Sequence, residues 1–401
     1  MVKTEVKRAF KYRFYPTEGQ AAELSRTFGC VRLVYNMALA ARSTAWNCER
    51  RRITYNDTSA MLTEWKKTEE LGFLRDVSSV PLQQVLRHLN SAFGNFFAKR
   101  ARHPRFKSRK RSRASAEYTR SAFRWRDGRL SLAKMVEPLA IVWSRPLPEG
   151  SEPSTVTVSR DSAGRWFVSI LVETGVDRYP PVTSAVGVDV GLSALVTLST
   201  GEKIANPRHE KKLQQRLAKA QRALVAKQKG SANRRRARRK VARLAVRIAD
   251  QRRDLLHKLS TRLVRENQAI VIEDLNVRGM LRSRSLAAAI SDASWSELRR
   301  MLTYKAAWYG REVITIDRWF PSSKTCSTCG QLVGDLPLSV RTWTCPCGAV
   351  HDRDVNAAKN ILAAGLAVAA CGDGVRPSRR EPSRQLSRTP ACGTGSRNCL
   401  A

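Results

Sequence analysis

Two cysteine pairs standing in front of an acidic helix start constrain this chain more than any other feature. They lie in PSSKTCSTCGQLVGDLPLSVRTWTCPCGAVHDRDVNAAKNIL, from Pro321 to Leu362. Cys326 and Cys329 are spaced C-x-x-C, Cys345 and Cys347 are spaced C-x-C, and the connector between the pairs is long enough to form a hairpin. Four thiolates converging in this way make a structural zinc site. Behind them Asp352 and Asp354 flank Arg353, and Ala357, Ala358, Ile361 and Leu362 follow Asp354 at i+3, i+4, i+7 and i+8. That spacing is helical and puts Asp354 in a first turn, on the buried face. The stretch predicts a metal knuckle that delivers a carboxylate to an active site.

Two further carboxylates stand in comparable places. The run AVGVDVGLSALVTLST, Ala185 to Thr200, is apolar but for Asp189 and is broken by Gly191, so it reads as a buried strand turning into a second one, with Gly201 and Glu202 in the next turn. A lone Asp in such a strand is costly to bury unless a cation compensates it, and a metal ion would. AIVIEDL, Ala269 to Leu275, is another buried strand, with Glu273 at its end. Ser294 with Glu297 predicts a capping box for a helix that buries Trp295, Leu298, Leu302 and Tyr309 and stops at Gly310. A strand over 312–317 then feeds the knuckle. Strand–strand–helix–strand–helix with acids at Asp189, Glu273 and Asp354 is the arrangement of an RNase H-like fold, in which the acids meet above the sheet. Oxygen ligands of this kind suit Mg2+. Two such ions about 3.5 to 4 Å apart activate water and stabilise the leaving oxygen in phosphodiester hydrolysis.

Charge identifies the partner class. Across 401 residues, 73 Lys and Arg face 34 Asp and Glu, a net charge of +39. An excess this large repels itself in a compact state unless a polyanion neutralises it, so nucleic acid is the expected partner. No apolar run long enough for a bilayer occurs and MVKTEVKRAF lacks a signal-peptide pattern, so the expectation is a cytoplasmic protein without membrane contact. Nine cysteines in that compartment do not suggest a disulfide framework. Cys30 and Cys48 read as core residues; Cys371, Cys392 and Cys399 fall in a Gly, Pro, Ser and Arg mixture after Leu362 that reads as disordered.

The amino-terminal half mixes strands and helices. Arg8 to Tyr15 alternates charged with apolar residues until Pro16, and Thr17 with Gln20 makes a capping box. A second helical segment carries Val31, Val34, Tyr35, Met37, Ala38 and Ala41, and a third carries Leu82, Val85, Leu86, Leu89, Phe93, Phe96 and Phe97. KRARHPRFKSRKRSR, Lys99 to Arg113, reads as a phosphate-tracking strap in which Arg105, Phe106 and Lys107 combine charge with stacking capacity. Short strands between Tyr118 and Glu173 predict a small β-barrel or sandwich, completed by the first strand of the chain. From Glu210 to Asn267 two basic helices turn at Gly230 and Ser231, and Arg234, Arg235, Arg238 and Arg239 crowd the face opposite the apolar stripe. Like charges at i, i+4 destabilise a helix unless phosphates sit between them.

GVDVGLSALVTL, IEDLNV, AAWYGREV with WFPSSKTCSTCG, and HDRDVNAAKNIL, together with FKYRFYPTEGQ and FGCVRLVYNMAL near the start, resemble the TnpB family, RNA-guided nucleases encoded by insertion sequences and similar to ancestors of type V CRISPR effectors. The resemblance covers nearly the whole chain. It implies a multidomain α+β protein: a wedge β-barrel split between 1–16 and 114–182, a helical recognition lobe at 17–113, an RNase H-like (RuvC) nuclease domain at 183–365 with a basic helical hairpin at 205–267 and a zinc-ribbon target-nucleic-acid loop at 322–350, and a disordered tail at 366–401. Asp189, Glu273 and Asp354 then become the catalytic, Mg2+-holding triad, with Asp352 supporting. Cys326, Cys329, Cys345 and Cys347 become structural Zn2+ ligands, although the C-x-C pair is one residue shorter than the family pattern and leaves His351 as a substitute ligand. Tyr55, Ser59 and Gln83 match positions that read a short motif beside the target, through base edges. The implied partners are a guide RNA transcribed from the element's end and target double-stranded DNA, bound by a monomer in a ribonucleoprotein associated with the nucleoid. Guide pairing reads sequence, protein reads the flanking motif and the heteroduplex shape, and one RuvC site cuts both strands in turn. A guided DNA-binding repressor or transposition accessory, a basic structural RNA-binding protein and a compact type V effector remain alternatives at this level.

Overall fold

Alternation of exposed and buried side chains runs the length of β1 (Lys3–Phe14), as a strand with one face in a core requires. The computed structural model describes residues 3–110, 112–337 and 339–370. After Pro16, Thr17 accepts the Gln20 amide while the Gln20 side chain accepts the Thr17 amide, the reciprocal box that starts α1 (Glu18–Glu49). The two helical segments expected here are one helix of 32 residues. Gly19 and Gly29 do not break it, because the buried face from Leu24 to Ala45 outweighs the roughly 1 kcal/mol that each glycine costs a helix. A second reciprocal box, Thr54 with Asp57, opens α2 (Tyr55–Trp65). In α3 (Ser79–Phe97), Leu82, Val85, Leu86 and Leu89 are buried, but the stripe then leaves the core and Phe97 is 64% exposed.

The strands that follow are β2 (Ala114–Thr119), β3 (Phe123–Arg126), β4 (Arg129–Leu132), β5 (Ile141–Val142), β6 (Pro153–Arg160) and β7 (Trp166–Asp177). β1 pairs antiparallel with β7 from Lys3↔Asp177 to Phe14↔Trp166, so the first strand does complete the later sheet. The closed barrel is corrected: the order β2-β6-β7-β1-β5 is an open sheet, with β3 and β4 as a separate hairpin. A two-residue β5 and four-residue hairpin strands are too short to close it. This sheet and α1 to α3 bury a single continuous core.

The second half begins with β8 (Ala185–Val190), β9 (Ala194–Leu198) and β10 (Lys203–Ala205), an antiparallel meander with one more strand than the sequence reading anticipates. The hairpin of α4 (His209–Val225) and α5 (Ala232–Glu266) precedes β11 (Ala269–Glu273). Next come α6 (Val277–Met280), α7 (Ala287–Ala293), α8 (Trp295–Tyr309) and β12 (Glu312–Ile316), followed by β13 (Thr342–Thr344), β14 (Val350–Asp352) and α9 (Arg353–Ala370). The sheet order is β10-β9-β8-β11-β12, with β11 parallel to both β8 and β12. Ser294 forms no capping box. It sits in the left-handed region at φ 54° between α7 and α8, and its hydroxyl donates back to the Ser291 carbonyl. Buried Lys305 in α8 locks that helix to α5 by donating to the His257 carbonyl and to the Ser260 and Thr261 hydroxyls.

α9 lies directly on this sheet. A Cβ at Gly187 of β8 would come 2.0 Å from the Ala358 carbonyl oxygen, and one at Gly365 would come 2.3 Å from Val271 Cγ1. Both positions therefore need glycine for backbone and helix to touch. α9 continues to Ala370, so residues 366–370, expected to be disordered, are helical. The rest of the expected tail, including Cys371, Cys392 and Cys399, lies outside the described residues. Among the described residues no helix is long and apolar enough to cross a membrane.

Candidate functional site

Parallel pairing of β8 with β11 sets Val188 opposite Ile272, so Asp189 and Glu273, one residue further along each strand, stand side by side at the sheet's end. Asp354, in the first turn of α9, is carried to the same place by the glycine contact. Asp189 feels the other two acids. Burial, then the charges of Glu273 and Asp354, push Asp189 up to about 7, against the Val190 amide and Arg353. Burial also raises Glu273, opposed by the Ser322 hydroxyl that donates to its Oε1 at 2.7 Å. Arg341 Nη1 donates to Asp354 Oδ1 at 3.3 Å. Burial and like charge together disfavour the ionised form of Asp189, and an all-carboxylate set is of the donor type that suits a hard divalent ion.

Asp352 has a different task. Its Oδ1 accepts the amides of Asp354 and Val355, capping α9, while Oδ2 takes Lys203 Nζ at 2.7 Å. Arg353 is buried and donates to the Pro337 carbonyl at 2.6 Å. Asn356 donates to Thr325 O at 2.7 Å and accepts the Ser327 amide, and Asn360 donates to both Ser322 O and Thr325 O. One helix thus positions its own acid, the loop that carries Ser322 and the first cysteine pair. The sequence reading missed Ser322, Asn356 and Asn360. Their signal was two asparagines at i, i+4 on a face otherwise filled by Ala357 and Ile361.

All four sulfurs of Cys326, Cys329, Cys345 and Cys347 lie within 4.8 Å of one another. Cys326 to Cys347 is 3.8 Å and Cys329 to Cys345 is 3.6 Å. A tetrahedron of Zn–S bonds near 2.3 Å has edges of about 3.8 Å, so the set fits zinc. The short C-x-C is accommodated by a turn in which Gly348, at φ 88°, donates to the Cys345 carbonyl and Cys345 donates to Ala349 O. Cys326 and Gly330 make the matching turn on the other side. His351 does not replace a cysteine. Its Nε2 is 3.0 Å from Cys326 Sγ, a hydrogen-bonding neighbour of a sulfur, in the second rank that orients such ligands. Burial opposes ionisation of Cys326, but the Cys329 and Thr328 amides and His351 bring it down to about 5.

The expected nucleic-acid residues divide. Tyr55 opens α2 and its hydroxyl accepts from Arg87 Nε at 3.3 Å; Ser59 lies one turn on, and Gln83 is exposed on α3, one turn before Arg87. Arg105 and Phe106 are exposed. Lys107 is instead fixed: Asn36 holds both its amide and its carbonyl, and its ammonium rests 3.9 Å over the Tyr35 ring. Arg235, Arg238 and Arg239 are exposed, whereas Arg234 donates to the carbonyls of Leu224, Val225 and Lys227 and so caps the end of α4. These two cations do structural work that a charge run does not reveal.

Three family models match parts of the chain. Residues 169–284 match the OrfB_IS605 family, described as "Probable transposase", residues 295–361 match a "Cas12f1-like, TNB domain", and residues 1–52 match a "Helix-turn-helix domain" of OrfB_IS605 proteins. That last stretch holds β1 and the single helix α1. A protein of Streptomyces pristinaespiralis named "Putative RNA-guided DNA endonuclease" is 71% identical over 95% of this chain and 94% of its own length. One of Escherichia coli K12, "Putative RNA-guided DNA endonuclease InsQ", is 36% identical over 95% and 99%. The solved structure of a Cas12f1–sgRNA–target DNA complex superposes with a TM-score of 0.56 at 12% identity, covering 89% of this chain and 98% of that one, a likeness of fold.

Proposed function

Since the chain belongs to the TnpB family of OrfB-type insertion-sequence proteins, we propose that it is an RNA-guided endonuclease that cuts double-stranded DNA beside a short motif through one RuvC-type site. The observation that carries the reading is the meeting of Asp189, Glu273 and Asp354 at one sheet end, close enough that two of them raise the third. These residues would hold Mg2+, which when bound supplies a polarised phosphate and an activated water. The protein's own groups set the stage. Ser322 orients Glu273, the Asp352 cap and the Asn356 and Asn360 bonds fix the start of α9, and Arg341 sits beside Asp354 as a cation toward which a phosphate can turn. Cys326, Cys329, Cys345 and Cys347 would hold Zn2+ and keep the loop between β12 and α9 folded.

The guide RNA offsets the +39 charge, and Tyr55, Ser59 and Gln83 on the facing helices α2 and α3 read the flanking motif. The particle holds one copy of the chain and acts on nucleoid DNA in the cytoplasm. The decisive experiment is co-expression with the flanking DNA of its gene, recovery of the copurifying RNA, and cleavage of a matched target with Mg2+. Wild type cuts and Asp189→Ala binds without cutting; a wild-type particle that binds the motif-flanked target but leaves it intact refutes the enzyme.

A further inference from the structure

A cavity of about 700 Å3 opens between the carboxyl-terminal halves of α1 and α3, and it joins features that stability alone does not require. Its wall carries Trp46, 53% exposed, and Phe97, 64% exposed. Phe97 stacks on Phe93, whose ring meets the edge of His103 at 5.3 Å. Arg42 is only 8% exposed and forms no ion pair among the described residues; the Asp57 carboxylate acts on it only through its field, against that of Arg52. Arg42 Nη2 donates to Asn90 at 3.1 Å, its guanidinium lies 5.1 Å from the Phe93 centroid, and its Nε has no partner. Arg52 stands exposed at the mouth. A buried cation with no ion pair and an unpartnered Nε is expensive, and exposed aromatic faces beside it are a second unmet demand.

One kind of ligand meets both demands: a flat aromatic group joined to a phosphate. We propose that this cavity holds one unpaired nucleotide of the guide RNA, its base against Phe97 and Trp46 and its phosphate at Arg42 and Arg52; this rests on the guide-RNA reading above. An enclosed nucleotide must come from an unpaired segment, which folded RNA presents in loops and bulges. A cation buried in the folded protein needs a resident partner, and the guide is the resident polyanion, whereas target DNA arrives only later.

The test uses the full-length ribonucleoprotein carrying Asp189→Ala, so cleavage does not enter the readout. Ultraviolet crosslinking without target DNA should join a guide nucleotide to the peptide containing Trp46 or the one containing Phe97. Trp46→Ala with Phe97→Ala, compared at a temperature where the double variant is fully folded by its own melting curve, should weaken guide binding roughly 5- to 150-fold, the range for one stacked base. Arg42→Met should weaken it as well and make its salt dependence shallower by about one phosphate contact, which a purely structural role would not do. Unchanged guide affinity in the double variant overturns the proposal, as does a crosslink that appears only when target DNA is added. A patch covered by a second copy, seen as a dimer that the double variant dissociates with guide affinity intact, overturns it too. A particle that crosslinks as expected while wild type fails to cut leaves the cavity standing and removes the nuclease.

Discussion

Asp189 carries the sharpest consequence of any single residue. Its folded value of about 7 lies above the ordinary carboxylate value of 3.8, because burial and two neighbouring carboxylates disfavour its charge. A raised carboxyl stabilises the fold fully below pH 4 and loses that contribution as pH climbs through 7. In Mg2+-free buffer, wild type should therefore melt at falling temperature from pH 4 to pH 8, while Asp189→Asn keeps a flatter profile. The difference near pH 8 should be on the order of 1–3 kcal/mol. Added Mg2+ should recover the loss in wild type alone; melting curves that run parallel would show that the three acids do not share a site. The sequence made Asp189 conspicuous because one charge in an apolar run has no solvation to fall back on. Ser322, Asn356 and Asn360 stayed hidden because polar residues near a loop look alike until the backbone atoms they satisfy are known. Arg234 and Lys107 show the converse, since a cluster of cations says nothing about which member a helix end or an aromatic ring has already engaged.

Among the elements, α9 and the strands beneath it decide whether the site exists. Periodicity located the helix, and runs of apolar residues located β8, β9 and β11, since their burial is dictated by composition. The docking distance was not legible: Gly187 reads as an ordinary member of GVDVG until Ala358 is seen against it. Gly187→Ala would place a methyl 2.0 Å from that carbonyl oxygen, so helix and strand must separate. We expect a cost of about 1–3 kcal/mol from this overpacking. Cleavage should drop at least 100-fold while guide binding persists, because the amino-terminal lobe does not depend on this contact. Full activity in the variant would mean that α9 can tilt without moving Asp354. Ser294 misled for a related reason: serine three residues before glutamate signals a cap only if the backbone enters the helix extended, and here α7 delivers it left-handed.

Over the whole molecule, the separately packed cores among the described residues predict separable failures. The cysteine centre has only a small cluster of its own, Trp343 with Cys326 and Cys345, so it lacks the apolar area to stay folded without a metal. Cys347→Ser should lower bound zinc from one equivalent, lower cleavage at least tenfold and leave the main melting transition within about 3 °C of wild type. Metal analysis, cleavage and calorimetry on one preparation check this, and a global collapse of the melt would show that the ribbon props up the larger sheet. The barrel could not be judged from sequence because closure depends on strand lengths, and period-two patterns fix faces more firmly than ends.

The order of synthesis gives the position of α9 another meaning. β1 is made first but pairs with β7 only after residue 177 has emerged, so the amino-terminal sheet is finished about midway through translation. Asp189 and Glu273 follow, yet the site stays incomplete until the knuckle and Asp354 arrive near the end. A nascent or truncated chain can therefore complete its amino-terminal sheet before the three acids can meet, and assembly of the candidate site carries its own delay.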